Sequence, residues 1–293
     1  MERAPSKPRQ ALWIVLLAIA GFIAWTLLSA RVERPEVAES NFQANLIRLE
    51  RWKLDPAPAD VLVGSSIGAR LLPRYFRGTA LDGMHNLSLD GSGPSLGLRL
   101  LLEGTNQPRR VFIEVHRLGK PWHPNDDAVL AAAHSPGMRL AGWLRGIRAE
   151  ARPSTLMFAW IKSHQRSPGA PYVPTPTART NSGSTSNPGP AASHRPFTPK
   201  WESDLARDVA ALKQRGIRAV LIRFPVGREN PVDAEARSGS DELSDHLGIL
   251  LVDLQREAVR RGLEVRYTDN LHLTPQSAEA VSRILADWAA KHP

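Results

Sequence analysis

Two short stretches, near opposite ends of the main body of the chain, hold side chains whose types and spacing could do chemistry. The first is Gly64-Ser65-Ser66-Ile67-Gly68, directly after the apolar run Asp60–Gly64 and ahead of a short helix expected over 69–72. It fits the G-x-S-x-G pattern of a nucleophile elbow, although a strand-to-helix turn with a capping serine would read the same way. A serine at the C-terminal end of a buried strand sits where open α/β sheets bind ligands. A helix N-terminus there would favour a developing alkoxide. The second stretch is Thr268-Asp269-Asn270-Leu271-His272-Leu273-Thr274-Pro275. An Asp and a His three apart on a tight loop can set a carboxylate against Nδ1, leaving Nε2 free to take a proton from a hydroxyl. A surface loop in which Asp269 merely caps a turn is the plainer alternative.

Taken together these residues resemble the SGNH, or GDSL-type, hydrolases and acyltransferases, over about residues 59–290 with a long insertion unmatched. The resemblance implies that Ser66 is the nucleophile, with Ser65 where the family usually has Asp, and that His272 and Asp269 are the base and its orienting acid. The Gly-Ser-Ser variant is similar to that of membrane-anchored members that acylate cell-envelope polymers. Asn86-Leu87-Ser88-Leu89-Asp90-Gly91 resembles the family's second motif, which makes the backbone N–H of Gly91 an oxyanion donor beside that of Ser66. The third motif has no counterpart. After Val111–Val115 the chain continues His116-Arg117-Leu118 without the expected Asn, so His116 is the alternative donor. The placement of Ser66 after the first strand also separates this reading from the α/β-hydrolase fold, whose elbow follows several strands.

These residues need elements to hold them. Apolar runs at 60–64, 84–89, 111–115, 219–224 and 249–252 read as buried strands of a parallel sheet. Helical stripes lie between them. Trp201, Leu205, Val209 and Leu212 precede the fourth run, and Ala278, Val281, Leu285 and Trp288 mark a last helix opened by Thr274-Pro275. The alternation predicts an α/β fold, a three-layer α/β/α sandwich with a parallel sheet, over residues 59–292. An insertion at 119–199 breaks it. Residues 139–164 are expected to be helical, and 167–199, rich in Pro, Ser, Thr, Gly and Asn, to be flexible.

Ala11–Ala30 are twenty consecutive uncharged residues, enough for about 30 Å of helix. Residues 1–10 form a basic tail, so this segment is expected to be an uncleaved, single-pass signal-anchor of the cytoplasmic membrane. A connecting segment at 31–58 follows, and the main domain is expected on the extracytoplasmic, periplasmic side. Of the 293 residues 42% are hydrophobic and 23% charged, which excludes a wholly disordered, collagen-like or multi-span chain. The net charge of +9 is scattered and forms no reading motif, so no nucleic acid is expected. With no cysteine there is no thiolate metal site or cysteine nucleophile. His116, His123, Asp126, Asp127 and His134 match no metal-ligand spacing; neither metal nor cofactor is expected.

The expected function is a serine esterase or O-acyltransferase acting on acyl esters, acetyl foremost, of envelope or exported glycans. Its partners would be an acylated glycan or lipid-linked substrate, a membrane-bound acyl donor protein and, through residues 11–30, the membrane. The alternative is a catalytically inactive SGNH-like scaffold or glycan-binding protein in an envelope polysaccharide complex.

Overall fold

The computed structural model describes residues 7–29, 31, 35, 38–164, 200–227, 239–269 and 271–293. The segment 167–199, expected to be flexible, lies outside the described residues. In chain order the strands are β1 (Asp60–Gly64), β2 (His85–Ser88), β3 (Arg110–Glu114), β4 (Arg218–Arg223) and β5 (Leu250–Asp253). The helices are α1 (Lys7–Ser29), α2 (Asn41–Leu54), α3 (Pro94–Glu103), α4 (Pro124–Ala133), α5 (Pro136–Trp143), α6 (Pro153–His164), α7 (Lys200–Gln214), α8 (Ser240–Leu247), α9 (Leu254–Arg260) and α10 (Pro275–Lys291). The chain divides into two compact units, one of Met1–Asp55 with Asp127–Arg166, the other of Pro56–Asp126 with Ser167–Pro293.

The second unit is an α/β fold. All five apolar runs form strands of one parallel sheet in the order β2-β1-β3-β4-β5. Alternate side chains point to opposite faces. Leu62, Phe112, Val220 and Ile222 join a core with Leu254 and Ala258 of α9 and Val281 and Leu285 of α10. Val63 meets α3, where a Cβ on Gly97 would lie 3.1 Å from both the Val63 Cβ and the Leu87 carbonyl oxygen. A glycine there lets the helix seat closely on the sheet. Helix α7 contacts α3 and β4 and buries Leu205, Val209 and Leu212. The Arg110 guanidinium, 1% exposed, pairs with Asp60 at 2.8 Å and donates to the His292 carbonyl at 2.8 Å. That pair ties the starts of β1 and β3 to the chain's C-terminal end. After β1 the chain builds β2 on one side, then crosses to β3 on the other. The strand order therefore reverses at the C-terminal ends of β1 and β3, where open parallel sheets leave a crevice.

The first unit is helical. Residues 31–58, read from the sequence as a connecting segment, contribute α2 to it. Gln43 donates to the Ala149 carbonyl at 3.1 Å and Glu50 accepts from the Ala149 N–H at 2.7 Å. Arg51 pairs with Glu150 at 2.8 Å. The helical stretch expected over 139–164 is broken into α5, two 3-10 turns and α6. The start of α6 has a local cause, because Pro153 has no N–H for an interior helical bond and fits only the first turn of a helix. Helix α1 is long and apolar enough to cross a membrane, with mean hydropathy 2.4 over its most apolar 18 residues and none of those buried.

Candidate functional site

The crevice at the β1/β3 switch point is where Ser66 lies. Gly64 ends β1, Ser65 is buried, and Ser66 begins the turn that leads into the 3-10 turn Gly68–Arg70. The anchor of this turn comes from β3. Glu114 is fully buried at the end of that strand, and its carboxylate accepts from the Ser65 hydroxyl at 2.6 Å, the Ser65 N–H at 2.7 Å and the Gly68 N–H at 3.1 Å. The Ser65 hydroxyl accepts in turn from the Ile67 N–H at 3.2 Å. Burial pushes the Glu114 carboxyl above its ordinary pKa; the neighbouring His116 and the donors from Ser65 and Gly68 pull it down without cancelling that effect.

This carboxylate explains both glycines of the motif. A Cβ on Gly64 would lie 2.3 Å from Glu114 Oε2, and one on Gly68 would lie 2.6 Å from Ser88 Oγ and 3.0 Å from Glu114 Oε2. No side chain fits at either place. Asn86 completes the support from β2. Its amide donates to the Gly68 and Leu71 carbonyls, both at 2.8 Å, while its carbonyl accepts from the Ser88 N–H at 2.9 Å. Every polar atom of that side chain is used inside the fold, so Asn86 is a buried brace.

The second stretch reaches the same point from the far end of the chain. Tyr267 and Leu273 form an isolated bridge, and Thr268 N–H donates to the His272 carbonyl at 2.8 Å, closing the loop between them. Asp269 serves two purposes at once. Its Oδ1 accepts from the Leu271 and His272 N–H groups at 2.9 and 2.7 Å, and its Oδ2 lies 2.7 Å from His272 Nδ1. The turn-capping reading and the imidazole-orienting reading of this residue both hold. Thr274 caps α10 by accepting from the Ser277 N–H, with Pro275 at the first helical position, so the loop is fixed at its exit as well. His272 Nε2 then lies 2.9 Å from Ser66 Oγ. Partial burial raises the Asp269 pKa, but the hydrogen bonds from the His272 ring and from the two backbone amides outweigh it and bring it down to about 2. Asp269 is therefore a carboxylate at any ordinary pH.

The structure brings together Ser66, His272 and Asp269 in one hydrogen-bonded chain. Gly91 sits in the turn after β2 with φ +79°, in the left-handed region that glycine adopts without strain, and its carbonyl accepts from Lys120 Nζ. Among the described residues the N–H groups of Ser66 and Gly91 have no hydrogen-bond partner. His116 goes elsewhere. It is fully buried, with Nε2 3.0 Å from the Phe224 carbonyl oxygen, so it is a brace between strand ends and a correction to its reading as an oxyanion donor. Asp126, drawn from the sequence near that histidine, instead accepts from the Ser92 hydroxyl at 2.5 Å and the His123 N–H at 2.8 Å. Among the described residues no group of three or more His, Asp or Glu is arranged to hold a metal ion.

Glu114 was missed from the sequence. Its signal was the single carboxylate inside Val-Phe-Ile-Glu-Val, since a charge in an otherwise apolar buried strand needs partners. Scanned against models of known protein families the chain matches none, and a search of curated proteins finds no match either.

Proposed function

We propose that the protein is a membrane-anchored serine esterase or O-acyltransferase with an SGNH-like three-layer α/β/α domain, acting outside the cytoplasm on acyl esters of envelope or exported glycans. The observation that carries this reading is the chain from Ser66 Oγ through His272 to Asp269, with contacts of 2.9 and 2.7 Å. In it Ser66 Oγ attacks an ester carbonyl and His272 Nε2 takes the hydroxyl proton, while Asp269 steadies the imidazolium. The N–H groups of Ser66 and Gly91 would hold the tetrahedral oxyanion. Collapse of that intermediate breaks the ester C–O bond, and His272 returns the proton to the leaving alkoxide. Water then releases the acid, or a glycan hydroxyl accepts the acyl group, with His272 again serving as base. The helix α1 motivates the transferase branch, because a tether raises the effective concentration of the site near envelope glycans and a membrane-bound acyl donor.

The test is an activated acetyl ester with the purified full chain, together with fluorophosphonate labelling. Ser66→Ala should remove both turnover and labelling with the fold intact; undiminished turnover in that variant excludes the mechanism. A second reading, a non-catalytic scaffold, is favoured by one observation. The end of β3 carries Glu114 and the buried His116 rather than an exposed side-chain donor, and one missing oxyanion donor costs about 100- to 1000-fold in turnover. A well-folded wild-type chain that takes no fluorophosphonate would support the scaffold.

A further inference from the structure

In the helical first unit, α5 and α6 turn apolar side chains outward. Ser135 caps α5 by accepting from the Met138 N–H at 3.2 Å, and Met138 and Ala141 are buried on its inner face. That fixes the helix rotation and leaves Leu140 and Trp143, one turn apart, 50% and 87% exposed. On α6, Thr155 is buried against Gln43, while Met157 and Trp160 lie exposed one turn apart, Trp160 at 63%. Large aromatics left in water on fixed helix faces mark a surface that something covers.

What covers it follows from α1. Its 23 residues extend about 34 Å at 1.5 Å each, slightly more than the hydrocarbon of a bilayer. Lys7–Gln10 precede the apolar run, so its last turn lies at the edge of the hydrocarbon, just beneath the headgroups. There the backbone of Gly146 packs directly on Thr26, so closely that a Cβ on Gly146 would lie 2.4 Å from Thr26 Oγ1 and 3.1 Å from the Thr26 Cα. Trp143 is three residues from Gly146, which keeps it within about 10 Å of that contact. The segment Pro136–His164 also leaves Arg139, Arg152 and Lys162 exposed and Arg145 partly so, while its carboxylate Glu150 is buried in a pair with Arg51. Tryptophan beside basic side chains at the end of a spanning helix is the composition of a bilayer interface.

We infer that the outward face of α5, with Trp143 at its centre, docks on the lipid headgroup and acyl boundary where α1 leaves the membrane. The unit is thus held to the bilayer by a spanning helix and by an interfacial face together. This rests on α1 being inserted, independently of the chemistry proposed for Ser66.

The chain has no cysteine, so single nitroxide labels can be placed cleanly. Full-length Leu140→Cys and Ala18→Cys, reconstituted in nanodiscs of phosphatidylethanolamine and phosphatidylglycerol, are compared by their accessibility to oxygen and to a water-soluble nickel chelate. The expected result is a label at 18 in hydrocarbon and a label at 140 about 5–10 Å into the interface. Adding Trp143→Asp should move the 140 label outward; Trp143 is so exposed that its loss removes no core contact, and circular dichroism checks the fold. A label at 140 in water while that at 18 is deep overturns the inference alone. Poor accessibility at 140 to both reagents, the mark of cover by a second protein copy, overturns it as well. A label at 18 in water removes the anchor and the inference with it.

Discussion

Replacing Glu114 probes whether the carboxylate beneath the Ser66 turn holds the site together. Glu114→Ala would leave the Ser65 hydroxyl, the Ser65 N–H and the Gly68 N–H, now at 2.6, 2.7 and 3.1 Å from the carboxylate, without their acceptor. A buried donor left unmade costs about 1–3 kcal/mol. The hydroxyl can rotate, so the two amides dominate, and removing a buried carboxylate returns part of its desolvation cost. A net loss of about 2–4 kcal/mol is expected, a large part of a typical domain's stability. Glu114→Gln keeps the shape and one acceptor oxygen and should lose about 1 kcal/mol. Because burial raises the folded-state pKa above 4.5, the native chain holds this proton more tightly than the unfolded one does. The wild type is therefore favoured by this group below the unfolded value and loses that advantage as pH rises through the folded pKa; the Gln variant should lack that slope. Urea unfolding of the detergent-solubilised full chain measures the stability, and amide exchange over 60–72 reports the turn itself. An Ala variant within about 0.5 kcal/mol of wild type, with unchanged exchange at Ser65 and Gly68, would refute the bracing role.

Further substitutions divide the site and the two units. Asp269→Asn should lower ester turnover by about 100- to 10,000-fold with little change in stability, since it alters the tautomer of His272 while Asp269 itself is 56% exposed; a loss below threefold, measured as kcat, would contradict its orienting role. Gly64→Ala drives a Cβ into Glu114 and should cost more in thermal stability than Gly97→Ala, where the nearest atoms are 3.1 Å away. In the helical unit, burial raises the Glu50 pKa to about 7 despite its hydrogen bond from Ala149 and the nearby Arg152. Stability should fall by about 3 kcal/mol as pH rises from 4.5 through 7, and Glu50→Gln, followed by urea unfolding at pH 5 and pH 8, should flatten that dependence.

Much of this was legible in the chain itself. The runs of β1 and β3 are continuously apolar because those strands are buried on both faces, whereas β5, at the sheet edge, is only partly buried; each of the five was found within a residue or two of its place. Thr274-Pro275 opened the last helix because an N-cap oxygen and a preset φ act locally. Asp269 and His272, three apart, could be read as a pair because their geometry is set within one loop. Pro153 marks the opening of α6 locally, but the two 3-10 turns before it and the inclusion of α2 in the helical unit were not readable, since Ala149 and Glu150 are held by Gln43, Glu50 and Arg51, about a hundred residues away in the chain.

The same division runs through the site. The sequence by itself determined the residue types, the local turns and the apolar helix at the N-terminus, all properties of neighbours along the chain. Only the tertiary structure decided that Ser66 and His272 meet at 2.9 Å across the end of the sheet, because parallel strand order, not spacing, brings the two ends of the unit to one crevice. It also decided that Glu114 and not His116 serves the Ser66 turn. Strand alternation would put Glu114 and His116, two residues apart, on one face; β3 ends at Glu114, which lies beneath the turn, and His116, beyond the strand's end, reaches the carbonyl of Phe224 instead.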